Sequence, residues 1–463
     1  MKNLNPNSHP EDTIAAISTP PGEGGIGIVR LSGPEAIAIV STLFVPHAKS
    51  AAPFGTRRVS YGHIVDDAET LDEVLVNVMR APNSYTREDV VEINCHGGAT
   101  PLQAVLLAVL SRGARLAGPG EFTKRAFLNG RIDLVQAEAV IGRIRAQTRA
   151  GLRAASSAAS GALSKALYAM RERLVLVLSQ IEAVVDFPED EIPDTVNQSL
   201  LANVTAVRSE MSELLRTAEA GRLFREGASI AIVGRPNVGK SSLFNALLRD
   251  ARAIVTAIPG TTRDVLEEVI NIKGIPARLL DTAGMHDATD EVEQIGIERA
   301  RAALEQADAA VFVIEAGTEP HAHEYRIAEE ILRLETPSIV AVNKIDLAPG
   351  ATSPAWALET KVTCRVSAKT GEGLGEFENA LAMLLLKDTS IAPEQSMLTR
   401  VHQRESLRRA YDALGRFLEI FGASPEFLSI ELQDALQAIG EITGETTPDE
   451  ILEHVFASFC IGK

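Results

Sequence analysis

The chain has 463 residues, room for about three domains at roughly 150 residues each, which excludes a lone small module. Hydrophobic residues make up 45% and charged residues 23%, close to the usual globular values of about 45–50% and 25%, which excludes wholesale disorder. Lys plus Arg is 45 against 62 for Asp plus Glu, a formal net charge of −17, so the surface as a whole disfavours polyanions and any nucleic-acid contact must be local.

Cys95, Cys364 and Cys460 are too scattered for a disulfide framework or a CxxC metal site, which fits a reducing compartment. The first residues, MKNLNPNSHPEDT, have no apolar core like that of a signal peptide, and no uncharged apolar run approaches the ~18 residues of a membrane span. A soluble, cytoplasmic protein is expected. Cys460-Ile461-Gly462-Lys463 superficially resembles a prenylation box, but Gly462 is not aliphatic and Lys is not a usual final residue.

Residues 13 to about 130 mix β-rich runs, Ile26 to Leu31, Val74 to Met79 and Val90 to Ile93, with a helical pattern at Leu102 to Leu110, and read as α+β. From about 131 to 220 the period becomes helical. Leu163, Leu167, Met170, Leu174, Leu178 and Ile181, then Leu200, Val204, Val207, Met211 and Leu214, recur at three- and four-residue steps as a buried helix face requires. Asp186-Phe187-Pro188 separates the two helices, because proline lacks the interior amide and disfavours helix at the residue before it. From about 228 to 387 the strands Ile230 to Val233, Leu279 to Leu280, Ala309 to Ile314, Ile339 to Val342 and Val362 to Val366 alternate with helical segments, an α/β pattern.

After Pro393 helix returns. Leu428, Leu432, Leu436 and Ile439 form an apolar stripe, and Thr447-Pro448-Asp449-Glu450 reads as N-cap, first-turn proline and capping-box Glu. The expected division is 1–130, 131–225, 226–388 and 389–463, with the α/β unit inserted into one all-α domain; two separate helical domains would read alike.

The α/β region carries the chemistry. After the strand at Ile230 comes Gly234-Arg235-Pro236-Asn237-Val238-Gly239-Lys240-Ser241, followed by Ser242 and a helical run. This is a P-loop: glycines let backbone amides wrap phosphate oxygens, the helix N-terminus adds positive charge, Lys240 reaches the outer phosphates and Ser241 can hold Mg²⁺. Asp281-Thr282-Ala283-Gly284 ends a later strand, where Asp281 can orient metal-bound water and the Gly284 amide can sense the γ-phosphate. Asn343-Lys344-Ile345-Asp346 follows another, and a carboxylate at Asp346 suits the N–H edge of guanine, where adenine presents the wrong pattern. Ser367-Ala368-Lys369 would complete the base pocket, so the expected nucleotide is GTP.

Many GTPases place a water-orienting glutamine directly after the D-x-A-G element, but Met285 stands there. Either hydrolysis is very slow or another group supplies the function. Asn237 and Thr256-Ala257-Ile258-Pro259-Gly260-Thr261-Thr262 are oxygen donors that could hold a cation by the phosphates; Asn237 could equally just brace the loop.

With these motifs in place the sequence resembles the MnmE (TrmE) tRNA-modification GTPases over nearly its whole length. The resemblance also rests on Thr19-Pro20-Pro21-Gly22-Glu23-Gly24-Gly25-Ile26-Gly27, on Pro119 to Asn129 (PGEFTKRAFLN), on Asp186-Phe187-Pro188 and on the terminal Cys460-Ile461-Gly462-Lys463. It implies an N-terminal folate-binding and dimerising α+β domain, an all-helical domain and an inserted Ras-like G domain. It implies K⁺ held by Asn237, Thr256, the carbonyl of Ile258 and Thr261, Mg²⁺ held by Ser241 and Thr262, and Glu293 orienting the water. G-domain pairing across a homodimer would order the cation loop.

The resemblance further implies a bound 5-formyltetrahydrofolate or methylenetetrahydrofolate contacted by Arg30, Glu92, Arg131 and Lys463, with Cys460 near the one-carbon centre. Arg131 is a departure, since the family often has Lys there, and bond geometry changes with it. The implied reaction, shared with the flavin-dependent MnmG (GidA) protein in a heterotetramer or larger complex, installs an aminomethyl-type (carboxymethylaminomethyl) group on C5 of the tRNA wobble uridine. A rival reading is a ribosome-assembly GTPase of the Era or Der kind; a third is an interaction hub that binds GTP and barely hydrolyses it.

Several other signals are weaker. Gly22 to Gly27 matches G-x-G-x-x-G, but Ile28-Val29-Arg30-Leu31 reads as strand where a dinucleotide site needs helix. Cys95-His96-Gly97-Gly98 reads as a turn after a strand, without a second ligand pair. Arg145, Arg149 and Arg153, and Arg400, Arg404 and Arg408, would each line one helical face, either as a tRNA surface or as a solvated one. Asp186, Glu189, Asp190 and Glu191 fit a charged loop better than a metal site.

Overall fold

In the computed structural model the described residues are 12–47, 54, 58–186, 194–251, 269–281, 301–351, 362–387 and 391–463. The chain divides into two compact units, residues 1–141 with 433–463, and residues 142–432.

In the first unit, alternation of buried and exposed residues builds a sheet with one covered face. Its strands are β1 (Ile14–Ile17), β2 (Gly24–Ser32), β3 (Phe44–Pro46), β4 (Val59–Asp66), β5 (Glu69–Met79), β6 (Val90–Gly97) and β7 (Arg115–Leu116), ordered β3-β4-β5-β6-β2-β1-β7. All neighbours are antiparallel except β1 and β7. Val74, Val76 and Val78 of β5 are buried while Leu75 stays exposed, the period of two that a half-covered strand requires. Helices Ala36–Leu43 and Ala99–Ser111 cover that face with Ile39, Val40, Leu43, Leu102, Val105 and Val109. Each fully buried Leu, Ile or Phe is worth about 1.5–3 kcal/mol over exposure. The sequence pattern displayed β2, β5 and β6; β1, β3, β4 and β7 escaped it, being short or rich in polar residues.

Helices Glu121–Leu128 and Asp449–Ala457 also belong here, as do residues 134–141 of the helix Leu134–Arg145, with Leu134, Ala137, Ile141, Val455, Phe456 and Phe459 in one cluster. The expected cap at Thr447 is corrected: Pro448 is the N-cap of the last helix and makes no side-chain cap bond. The Thr447 hydroxyl instead donates to the Glu441 carbonyl at 2.6 Å, satisfying the end of the preceding helix.

In the second unit the strands form a sheet whose inner members read as continuous apolar runs, because both faces are covered. They are β8 (Ala228–Val233), β9 (Val269–Ile272), β10 (Ile275–Asp281), β11 (Ala309–Glu315), β12 (Ser338–Asn343) and β13 (Thr363–Arg365), ordered β13-β12-β11-β8-β10-β9. Every pairing is parallel except the β9–β10 hairpin. One face packs on Leu243, Leu247, Phe377 and Leu381, and the other on Leu304, Ile327 and Ile331. β8 lies between β10 and β11, so the strand order reverses there, the place where open α/β sheets take ligands at strand C-termini.

The long helices Ala162–Asp186 and Asp194–Arg216 bury the expected stripes, with Val177 rather than Leu178 at the inner position. Arg145, Arg149 and Arg153 do not share a helix, because Leu134–Arg145 ends before Arg149–Ala159 begins. Thr148 makes the break: its hydroxyl oxygen accepts from Gly151 N at 3.0 Å as an N-cap and donates to Gly274 O in the β9–β10 turn at 2.7 Å. Arg222, on the helix Ala218–Glu226 just before β8, ties that helix to the sheet through Asp308 at 2.7 Å, whose other oxygen accepts Ser229 N at 2.8 Å.

Candidate nucleotide-binding site

β8 ends at Val233, and the chain turns at once into a loop whose backbone only special residues accept. Gly234 has φ +151° and a Cβ there would stand 2.3 Å from Val313 O, while Gly239 has φ +95° and a Cβ would meet the Asn343 amide nitrogen at 2.3 Å. Asn237 adopts φ +66°, the left-handed region that asparagine tolerates better than most residues. Helix Lys240–Ala251 then begins, presenting the unpaired amides of its first turn. Lys240 Nζ donates to Gly234 O at 2.9 Å and Arg235 O at 3.0 Å, which holds the ammonium over the loop that would wrap the phosphates.

The base-recognition segment is laced to this loop. Asn343 Nδ2 donates to Val238 O at 2.9 Å and Asn343 Oδ1 accepts from Ala368 N at 3.1 Å, so one buried amide joins three of the motifs. Asp346 Oδ1 accepts from Ser367 Oγ at 2.7 Å, and Ser367 Oγ accepts from Thr370 N at 3.2 Å. A carboxylate has about four acceptor positions, so Asp346 keeps capacity for a ligand's donors. Asp281 closes β10, paired in register with Ile232 of β8. The structure therefore brings Asn237 to Ser242, Asn343 to Asp346 and Ser367 to Lys369 to one edge of the sheet. Thr256, Ala257, Ile258, Pro259, Gly260, Thr261 and Thr262, with Thr282, Ala283, Gly284, Met285 and Glu293, lie outside the described residues. So do Glu189, Asp190 and Glu191.

A second cluster forms in the first unit. Arg30 of β2 faces Glu92 of β6 across the sheet register, with Arg30 Nε to Glu92 Oε1 at 2.9 Å. The Gly462 carbonyl accepts from Arg30 Nη1 at 3.2 Å and from Ser18 Oγ at 3.0 Å. A bridge between Pro119 and Ile461, with Gly120 N donating to Cys460 O at 3.3 Å, continues this seat for the tail. Arg131 stacks on the Tyr85 ring at 4.7 Å, and the Arg30 guanidinium lies 5.7 Å from the Phe122 ring; Tyr85 packs against the small core that holds Phe122. Arg30, Glu92 and the tail before Lys463 thus meet, while Arg131 rests on Tyr85, which packs against the same small core. Cys460 is exposed.

Sequence reasoning missed the Gly462 carbonyl and Tyr85, and no spacing could reveal them. The Cys95-His96-Gly97 turn is corrected: these residues lie within β6, where His96 Nδ1 and N both meet Asp72 at 2.6 and 2.8 Å. Burial first, then the nearby Asp72, push the Cys95 thiol up to about 12, which removes it as a nucleophile at neutral pH.

Two family models cover the chain. The description "GTP-binding protein TrmE N-terminus" matches residues 13–131 and "MnmE helical domain" matches residues 134–460. A protein named tRNA modification GTPase MnmE from Chloroflexus aurantiacus is 47% identical over 98% of this chain and 100% of its own length. The chain belongs to the MnmE family. Members of the same name from Carboxydothermus hydrogenoformans and Alkaliphilus oremlandii are 45% and 44% identical, each over 98% of this chain. The G domain of the T. maritima FeoB iron transporter is 30% identical over 34% of this chain and 98% of that one, with a TM-score of 0.25; the fold assignment rests on the sheet order and the family models instead. For an MnmE-family chain the N-terminal α+β domain, helical domain and P-loop G domain follow. Among the described residues no helix is long and apolar enough to cross a membrane.

Proposed function

We propose that this chain is a K⁺-activated GTP hydrolase that acts with a flavin-dependent MnmG-type partner to place a carboxymethylaminomethyl-type group on C5 of the tRNA wobble uridine. The carbon comes from a tetrahydrofolate one-carbon unit. The observation that carries the reading is the family match across 98% of the chain. A ribosome-assembly GTPase of the Era or Der kind is not favoured, because the TrmE N-terminal match has no place in it. The proposed domains are 1–130 for folate and dimerisation, 131–225 and 389–463 for the helical part, and 226–388 for GTP. A cytoplasmic homodimer that joins MnmG in a heterotetramer or larger complex completes the proposal.

Guanine recognition falls to Asp346, oriented by Ser367, and phosphate recognition to the loop amides and Lys240. Ser241, at the first turn of its helix, and Thr262 would hold Mg²⁺. Asn237, Thr256, the Ile258 carbonyl and Thr261 would hold K⁺, and these all-oxygen donor sets suit hard cations. Bound there, the cations would neutralise charge on the transferring phosphoryl group. Glu293 orients the attacking water, the task Met285 cannot perform.

In the N-terminal unit Arg30, Glu92, Arg131 and Lys463 form the folate site. The support is chemical: Glu92 can accept from an amide-and-amine edge like that of a pterin, and guanidinium and ammonium groups suit a glutamate tail. Cys460 would stand beside the one-carbon centre, on the tail that Ser18 and Arg30 hold. The deciding experiment is mass spectrometry of tRNA nucleosides from cells lacking this protein. Loss of the C5-modified wobble uridines is expected; an intact set eliminates the proposal.

A further inference from the structure

The end of β11 carries a carboxylate that the GTP motifs do not account for. Glu315 pairs in register with Asn343 of β12, and Ala316 N donates to Asn343 O at 2.8 Å. Glu315 Oε2 receives Lys344 Nζ at 3.0 Å and lies 3.7 Å from Arg235 Nη2. One carboxylate therefore meets a cation of the base-recognition segment and a cation of the phosphate loop. The three side chains are only 23–29% exposed, where water screens the attraction less than on open surface.

Two further contacts hold the set in place. Arg235 Nε stands 3.9 Å from Glu324 Oε1, an oxygen of a side chain 3% exposed, and neither atom has a hydrogen-bond partner. Glu324 Oε2 accepts the His321 amide at 3.0 Å as part of a capping box, so this carboxylate is fixed by its own helix and Arg235 must come to it. Lys344 has φ +64°, a conformation lysine rarely adopts and one that persists only where its surroundings over-determine it. Its Cε lies 3.9 Å from where a Gly239 Cβ would be, so the lysine stem rests on the phosphate loop.

We propose that Glu315 is a positioning residue for the guanine nucleotide, clasping Lys344 and Arg235 so that the phosphate loop and the base-recognition segment are held at one spacing before the nucleotide arrives. The proposal rests on reading Gly234 to Ser241 as the GTP site. Preorganisation lowers the ordering cost of binding, and Glu315 does this without touching the ligand. Charge alone argues the other way: removing an anion beside a binding site for a polyanion should tighten binding, GTP more than GDP. The sign of the change separates the two effects.

The test is titration of the full-length chain with GDP and with a non-hydrolysed GTP analogue, followed by steady-state GTP hydrolysis in K⁺. For Glu315→Gln, both affinities should weaken by roughly tenfold, the size expected when a charge-assisted contact is lost. KM for GTP should rise by a similar factor with kcat within about twofold, and Glu315→Asp should recover most of the loss. Arg235→Gln, which keeps the carboxylate and Lys344, should weaken both nucleotides equally, by about threefold, where loss of a cation alone would weaken GTP more than GDP, and it gives a second reading if Glu315→Gln fails to fold. Unchanged or tighter binding in the variants overturns the proposal, as does a fall in kcat at constant KM, the mark of lost folded enzyme. Wild-type protein that binds no guanine nucleotide would instead sink the site reading itself.

Discussion

The two candidate sites are built in opposite ways. At the nucleotide site each functional segment follows a strand within two residues, β8 to Gly234, β12 to Lys344 and β13 to Ser367, and parallel pairing brings the strand ends together. In the N-terminal unit the Arg30 guanidinium reaches the Gly462 carbonyl across 432 sequence positions. The first design writes its chemistry into short contiguous words. The second writes it into contacts far apart in sequence, where a main-chain carbonyl holds the tail beside Arg30.

That contrast can be broken at either side. The largest effect is expected for Asp346→Asn, which places an amide where guanine offers donors: GTP affinity should fall roughly a hundredfold, because a buried polar match becomes a mismatch. Xanthosine triphosphate, with a carbonyl in place of the guanine amine, should gain. Competition titration reads both, and retained guanine preference would remove Asp346 from the base pocket. Next in size, exchanging K⁺ for Na⁺ should slow hydrolysis on the order of tenfold or more while leaving folate affinity unmoved; equal rates would dismiss the cation.

Gly462→Ala probes the other site. Gly462 has φ +92° and an added Cβ would lie 2.3 Å from Ile17 O, a strain of about 1–3 kcal/mol. Folate affinity measured by calorimetry should weaken by roughly tenfold with GDP binding within twofold. Unchanged folate binding would separate the tail from that site.

The difference also explains what the sequence disclosed. β8, β11 and β12 announce themselves as unbroken apolar runs, and the P-loop glycines are needed for the left-handed turns that Gly234 and Gly239 make. The antiparallel hairpin partner β9, four residues long, has too little pattern to stand out. Glu92 and Arg30 are linked only through the family resemblance, since nothing in their spacing displays the register that places them side by side. Helical period predicted the stripes of the long helices, but the arginines at 145, 149 and 153 misled because Thr148 ends the period by capping a new helix. The Thr447 cap failed for a similar reason: a hydroxyl serves whichever backbone group it reaches, and here that was the Glu441 carbonyl.

Because Ser18 and Arg30 both grip the Gly462 carbonyl, an alanine scan that trims side chains one at a time would pass over the atom that moors the tail. The neighbouring Ile461 is 55% exposed, so its identity should drift freely. Adding or removing a single residue between Phe459 and Gly462 would move that oxygen out of reach. Besides Cys460, Gly462 and Lys463, what this part of the chain must preserve is its path and its length.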